Sequence, residues 1–388
     1  MAAAGLSTAS PRSWAVTAII VLLLPPLFGI FGLFPRYAFG EATIELRIFS
    51  AFVALFTLLT LAGLWLRKRW ALWATLVVVS FLATMDLPIW IQNFDPALTS
   101  INILLLVAVV VLVFWEAVPP LTQVSAFQRA LFGFVFVFAA WVAYWGLFFP
   151  KQIGESLPIT VAPLHARFLG AMYLSGSVFM LLGMFAKDWH EARVVNVILA
   201  MWTGMLGFVS LLNLPAFDWA RKPTGFWFFA YFCFPLIAAW VAWCQRNETA
   251  HPKRAAMSRA LRAYLMIQGG LSVTLALFLL VAPRFMTTLW PWSIPVLAAQ
   301  IYGAPFLAYG LGSLYAVRQQ AWSEARIAVL GTLVFALSVL VASMLHATLF
   351  DARTPSAWLW FGGFGLASLA LLIFAGTESL SKGAARAG

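Results

Sequence analysis

Charge is scarce in this chain: 13 acidic and 24 basic residues in 388, with 10% charged against 63% hydrophobic. A surface so poor in charge excludes a water-soluble globular protein and leaves a membrane as the solvent. The acids stand mostly alone, so there is no carboxylate cluster to hold a metal for chemistry on phosphorylated lipids. His165, His190, His251 and His346 are scattered without ligand spacing, which argues against a metal site or a haem. The two cysteines, Cys233 and Cys244, fall on one expected helix. They stand about 16 Å apart at 1.5 Å per residue, too far for a disulfide. A G-x-S-x-G elbow, an H-E-x-x-H pair, a Walker A loop and a dinucleotide fingerprint are all missing. The expectation is a protein without cofactor, and a non-enzyme rather than an enzyme.

Long apolar runs are what the chain has. Twelve segments of about 20 residues are each long enough to cross a hydrocarbon core of roughly 30 Å as helix. They are 14–34, 48–66, 70–90, 98–117, 130–149, 168–186, 194–214, 225–244, 263–283, 297–317, 327–347 and 357–376. The first lacks a basic run before it, is longer than a signal-peptide core and contains Pro25-Pro26, so it reads as a retained span.

A shift of 133 residues superposes the chain on itself without a gap from Arg129 to about Phe229. Arg129-Ala130 falls on Arg262-Ala263 and Gly170-Ala171 on Gly303-Ala304. Trp189-x-Glu191-Ala192-Arg193 falls on Trp322-x-Glu324-Ala325-Arg326, and Phe217-Asp218 on Phe350-Asp351. Self-similarity at a fixed period marks a duplicated structural unit. The expected fold is all-α transmembrane, about 12 helices in three parallel four-helix repeats, arranged with pseudo-threefold symmetry or in a line. Residues 1–118 form the divergent first repeat, 129–245 the second and 262–380 the third, with a basic cytoplasmic linker at 246–261. The repeated motifs resemble those of uncharacterised bacterial multi-spanning membrane proteins built from four-helix units, a resemblance that implies the fold and no activity.

Cytoplasmic termini place 16 of the 24 basic residues inside, as the positive-inside rule prefers. The chain is therefore expected in the inner (plasma) membrane, multi-pass, with both termini cytoplasmic. The same asymmetry accounts for the net charge of +11, which argues against nucleic acid as a partner. The linker is expected to lie on anionic lipid head groups.

The candidate ligand-binding residues are repeat-related. Arg47 and Arg167 open the second helix of their units, and Asp95, Asp218 and Asp351 close the third, with Gln300 where the third unit's cation would stand. An antiparallel helix pair would bring each Arg to its Asp, as an interfacial clamp or as a site for an anionic head group. His346, whose repeat partner is Asn213, is expected in an interhelical hydrogen bond. Trp189 and Trp322 read as interfacial anchors, as do Trp290, Trp292, Trp358 and Trp360, and the many phenylalanines as lipid-facing. The expected function is that of a non-catalytic structural or lipid-organising protein, or a subunit of a membrane assembly, with lipids and other membrane subunits as partners. A transporter or channel for a small or lipophilic molecule is the alternative, with helix breaks at Pro25-Pro26, Pro235 and Pro305. A lipid-modifying enzyme drawing on Arg47, Arg167 and the three aspartates is the second.

Overall fold

The computed structural model describes residues 13–24, 27, 44–92, 105, 107–113, 115–116, 124–151, 153, 157–247, 256–319 and 321–387. The chain divides into two compact parts, Met1–Leu121 and Thr122–Gly388. In the first part, α1 spans Trp14–Leu24, α2 Ile44–Trp65 and α3 Arg69–Gln92. The α2–α3 hairpin turns through Arg67, which adopts a positive φ of 56°. Arg47 lies on α2 with its side chain outside the described ones, and Asp95 and Pro25-Pro26 lie outside the described residues.

The second part holds the two ungapped copies. Its helices are α4 (Ala126–Phe148), α5 (Pro163–Met184), α6 (Trp189–Leu212) and α7 (Lys222–Cys244), then α8 (Arg259–Val281), a short α9 (Pro283–Leu289), α10 (Val296–Arg318), α11 (Trp322–Met344) and α12 (Pro355–Ala387). Helices α4 and α8 begin and end 133 residues apart, and 3₁₀ turns at Leu214–Ala216 and Ala347–Leu349 follow α6 and α11 at the same offset. Among the described residues, seven helices are long and apolar enough to cross a bilayer: α4, α5, α6, α7, α8, α11 and α12. Helix α10 matches them in length and is buried over most of it, so its more polar composition meets protein rather than lipid. Apart from one bridge between Ala256 and Ala321, the described residues form no β-structure. The chain is an all-helical, multi-pass membrane protein.

Several helices begin about four residues before the expected apolar runs, because a polar first turn is capped in place. Ser125, Asp188 and Ser258 each accept a hydrogen bond from the backbone N–H three residues on, the standard N-cap contact. At the same end as the Ser125 cap, the Arg129 guanidinium donates to the carbonyls of Met184 and Ala186, groups a helix C-terminus leaves without partners. Pro235 and Pro305 sit inside continuous helices and break neither α7 nor α10. Both cysteines are free thiols.

The packing order is not the sequence order. Within each copy the first helix packs on the second (α4 on α5, α8 on α10) and the third on the fourth (α6 on α7, α11 on α12). The second helix, however, packs mainly on the third helix of the other copy: α5 on α11 and α10 on α6. Small residues permit these approaches. A Cβ on Gly146 would lie 2.7 Å from the Ala166 carbonyl oxygen, so α4 and α5 touch backbone to backbone near their loop.

The contacts between copies are mirrored with bulk exchanged. Phe179 of α5 fills the space over Gly331 of α11, where a Cβ would stand 2.2 Å from the ring. The equivalent positions carry the opposite sizes, with Ile198 of α6 over Gly312 of α10. Each knob meets its own hole, which is how interiors reach close packing without overlap.

The tryptophans depart from the expected belt. Trp358 is exposed, but Trp189, Trp322, Trp290, Trp292 and Trp360 are buried. Trp290, Trp292 and Trp360 cluster with Phe168 and Tyr302 at the loop end where α5 and α10 begin. Trp227 and Trp360 donate to Ser210 and Ser343, both at 2.9 Å, so each fourth helix is hydrogen-bonded to its third in the same way. A buried indole N–H usually finds such an acceptor.

Candidate functional site

Two belts of polar contacts join the copies, one at each end of the bundle. At the end where α6 and α11 begin, Asp188 caps α6 and Glu191 follows in its first turn, with Glu191 Oε2 also accepting from the Lys187 N–H at 3.0 Å. Arg193 Nη2 reaches Glu324 at 2.8 Å, and Arg326 Nη2 reaches Glu191 at 3.0 Å. Each carboxylate is paired with the arginine of the other copy. Both glutamates are buried, at 5% exposure, where a carboxylate is held only by a cation and further donors.

At the opposite end, Arg167 on α5 donates from Nε to the Leu147 carbonyl at 3.1 Å and from Nη1 to His346 Nε2 at 2.6 Å. Its equivalent, Gln300 on α10, accepts from Asn213 Nδ2 at 3.0 Å. These two contacts are again equivalents, one cationic and one neutral. The expected Arg167–Asp218 pair is therefore absent. Helix α5 leans on α11 of the other copy, so its opening arginine meets the residue after α11, not the one after α6. His346 itself lies in the turn beyond α11 rather than inside a span.

Asp218 and Asp351 serve the local turns instead. Asp218 Oδ1 accepts from the Ala220 N–H and Oδ2 from Arg221, while Asp351 Oδ1 accepts from the Arg353 N–H. The Asp218–Arg221 pair is half-exposed, a setting in which ion pairs contribute about 0–1 kcal/mol.

An arginine can only donate, so His346 accepts at Nε2 and carries its proton on Nδ1. Burial, with the neighbouring Arg167 charge, holds its pKa below the ordinary value. A folded-state pKa below the unfolded value of about 6.5 gives stability that is present above that pH and lost as pH falls through the depressed value. The melting temperature is expected to drop between pH 7 and pH 5. The double variant Arg167→Gln/His346→Asn, which copies the Gln300–Asn213 pair, should weaken this dependence while keeping its neutral-pH stability. A pH profile identical to wild type in that variant would remove His346 as the source.

Beside this pair an open cleft of about 390 Å³ is lined by His165, Trp292, Ser293, His346 and neighbouring residues. His165 Nδ1 lies 2.6 Å from the Tyr302 hydroxyl, a third contact between the copies at this end. Among the described residues no three His, Cys, Asp or Glu side chains gather as a metal site would need.

The crossed Glu–Arg pairs and the Asn213–Gln300 bond were not foreseen. Their signal was present, since Glu and Arg recur two residues apart in both copies. Reading it required knowing that the copies face each other.

The fold defines an all-helical, multi-pass membrane protein. The chain matches no protein-family model, no curated protein and no solved structure.

Proposed function

We propose that the protein is a non-catalytic, lipid-organising membrane scaffold, acting as a subunit of a membrane assembly with lipids and other membrane proteins as partners. The observation that carries this reading is the closure of the joint between the copies. Polar groups at both its ends are paired across it, its middle is filled by exchanged bulk, and α7 and α10 run unbroken through Pro235 and Pro305. A transporter needs a polar path or a broken helix at such a joint. The outer helices, in contrast, present exposed side chains such as Leu236, Val281 and Leu366, a surface suited to lipid and to neighbouring spans.

Twelve spans in three four-helix repeats belong to the same proposal, and the shared 133-residue offset of the helix limits supports it for the second and third units. The reciprocal contacts favour a two-fold axis between these units in place of the expected threefold ring, because in a ring the contact would run one way only. Location in the inner (plasma) membrane with cytoplasmic termini rests on the arginine and lysine distribution. An impermeant thiol reagent should fail to label cysteines placed in 246–262 in intact cells, and labelling there would reverse the orientation.

The experiment for the scaffold reading is native mass spectrometry of the protein gently extracted from its own membrane. Co-purifying membrane polypeptides at fixed stoichiometry are expected. Solute flux in reconstituted vesicles, with no such polypeptide, would overturn the proposal.

A further inference from the structure

The third unit contains a cavity of about 350 Å³ bounded by α8, α9, α10, α11 and α12. Its walls include Trp290, Phe306, Tyr309, Phe335, Trp360 and Phe364. The equivalent region of the second unit encloses only about 50 Å³. At three lining positions the third unit is the more polar. Val135, Ala139 and Leu199 line the small space, and the third unit has Gln268, Ser272 and Thr332 at those positions. Phe226 and Phe234 pack on Phe138 and Phe134 in the second unit, where the third has Leu359 and Ala367. At these positions ring volume is removed and polar groups are added, whereas Tyr173, Gly176, Thr203 and Tyr231 give way to Phe306, Tyr309, Ala336 and Phe364. Packing alone opposes both changes, since lost contacts and unpaired polar atoms each cost stability.

Two lining residues carry a buried polar atom with no partner among the described residues: the Trp290 Nε1–H donor and the Gln268 Oε1 acceptor. Gln268 is held in place by its other end, which donates to Ser313 Oγ at 3.2 Å. Trp290 is only 7% exposed, so bulk solvent does not satisfy its N–H. At the rim, Leu289 and Leu359 are exposed, leaving an exit for a hydrocarbon chain. An apolar aromatic pocket with a few convergent polar atoms is the ordinary form of a small-molecule site.

We propose that this cavity binds the ring head of a hydroxylated lipophile, a quinol-like molecule whose tail leaves past Leu289 and Leu359. One ligand oxygen accepts from Trp290 Nε1–H, and a ligand hydroxyl donates to Gln268 Oε1. A quinone has acceptors only and satisfies the first contact alone. The proposal concerns binding and involves no electron transfer, and it stands apart from the scaffold reading.

The test is equilibrium binding to the full-length protein in lipid nanodiscs of three probes: a decyl-substituted benzoquinol, its quinone and decylbenzene. The quinol should bind saturably at one site, about fivefold tighter than the quinone, the worth of one neutral hydrogen bond, with decylbenzene weakest. Gly363 lines the cavity, and a Cβ built on it meets nothing within 4 Å. Gly363→Phe should therefore fold normally, fill the space and weaken quinol binding at least about tenfold, the loss of a ring's place in the pocket. Gln268→Leu should abolish the preference for quinol over quinone. Equal partition of all three probes into wild type and Gly363→Phe would overturn the site. If Gly363→Phe does not fold, a quinol preference surviving in Gln268→Leu would overturn it.

Discussion

Replacing Gly331 by alanine is expected to destabilise the protein by about 2 kcal/mol, and by valine further still, in the range found when cores are overpacked. The reason is local and steric. A Cβ at this position would stand 2.2 Å from Phe179, a ring that is fully buried and cannot swing aside. The backbone is pinned as well, because Ser175 Oγ donates to the Gly331 carbonyl at 2.6 Å across the same α5–α11 contact. Shrinking the knob should relieve the hole: Gly331→Ala with Phe179→Leu should lose clearly less than the two single changes added together. Unfolding in bilayer or mild detergent measures both. Additive losses would show that the two helices do not meet at this point.

The crossed ion pairs should be the second most sensitive feature. Glu324→Gln leaves Arg193 without its carboxylate in a place where that arginine side chain is 22% exposed. Breaking a fully buried pair costs about 3–5 kcal/mol. Partial exposure reduces this to an expected loss of about 2 kcal/mol. The Arg193–Glu324 coupling from a double-mutant cycle should exceed that of Arg326–Glu191, because Arg326 is more exposed, at 38%. A coupling energy near zero for both pairs would mean that the joint is held by packing alone. Loss of both pairs together is expected to separate the copies before their own hairpins melt. Within each copy the α4–α5 and α8–α10 contacts do not pass through the joint.

Composition and periodicity sufficed for class and element order because lipid imposes a simple rule. Every crossing must be helical and about 20 residues long, so apolar runs report helices directly. All eight long helices of the Thr122–Gly388 part fall on expected segments, and the missed first turns include those where Ser125, Asp188 and Ser258 supply polar caps. A hydropathy criterion discards such residues by design. The tryptophans at 290, 292 and 360 were misplaced for a related reason. Indole suits an interface and an aromatic core equally, and only the neighbours decide.

Partners were the part that the linear chain withheld. Arg167, Gln300, Asn213, His346, Glu191, Arg193, Glu324 and Arg326 could all be picked out as repeat-related polar residues, yet their partners could not, and Arg167 meets His346 where Asp218 was expected. Hydropathy determined by itself that this is a helical membrane protein, and the sequence by itself displays a 133-residue self-similarity. Tertiary structure alone decided that the second helix of each copy leans on the third helix of the other. That choice depends on small residues meeting large ones across the joint, Gly331 under Phe179 and Gly312 under Ile198, a complementarity that belongs to two surfaces at once and is written in neither helix alone.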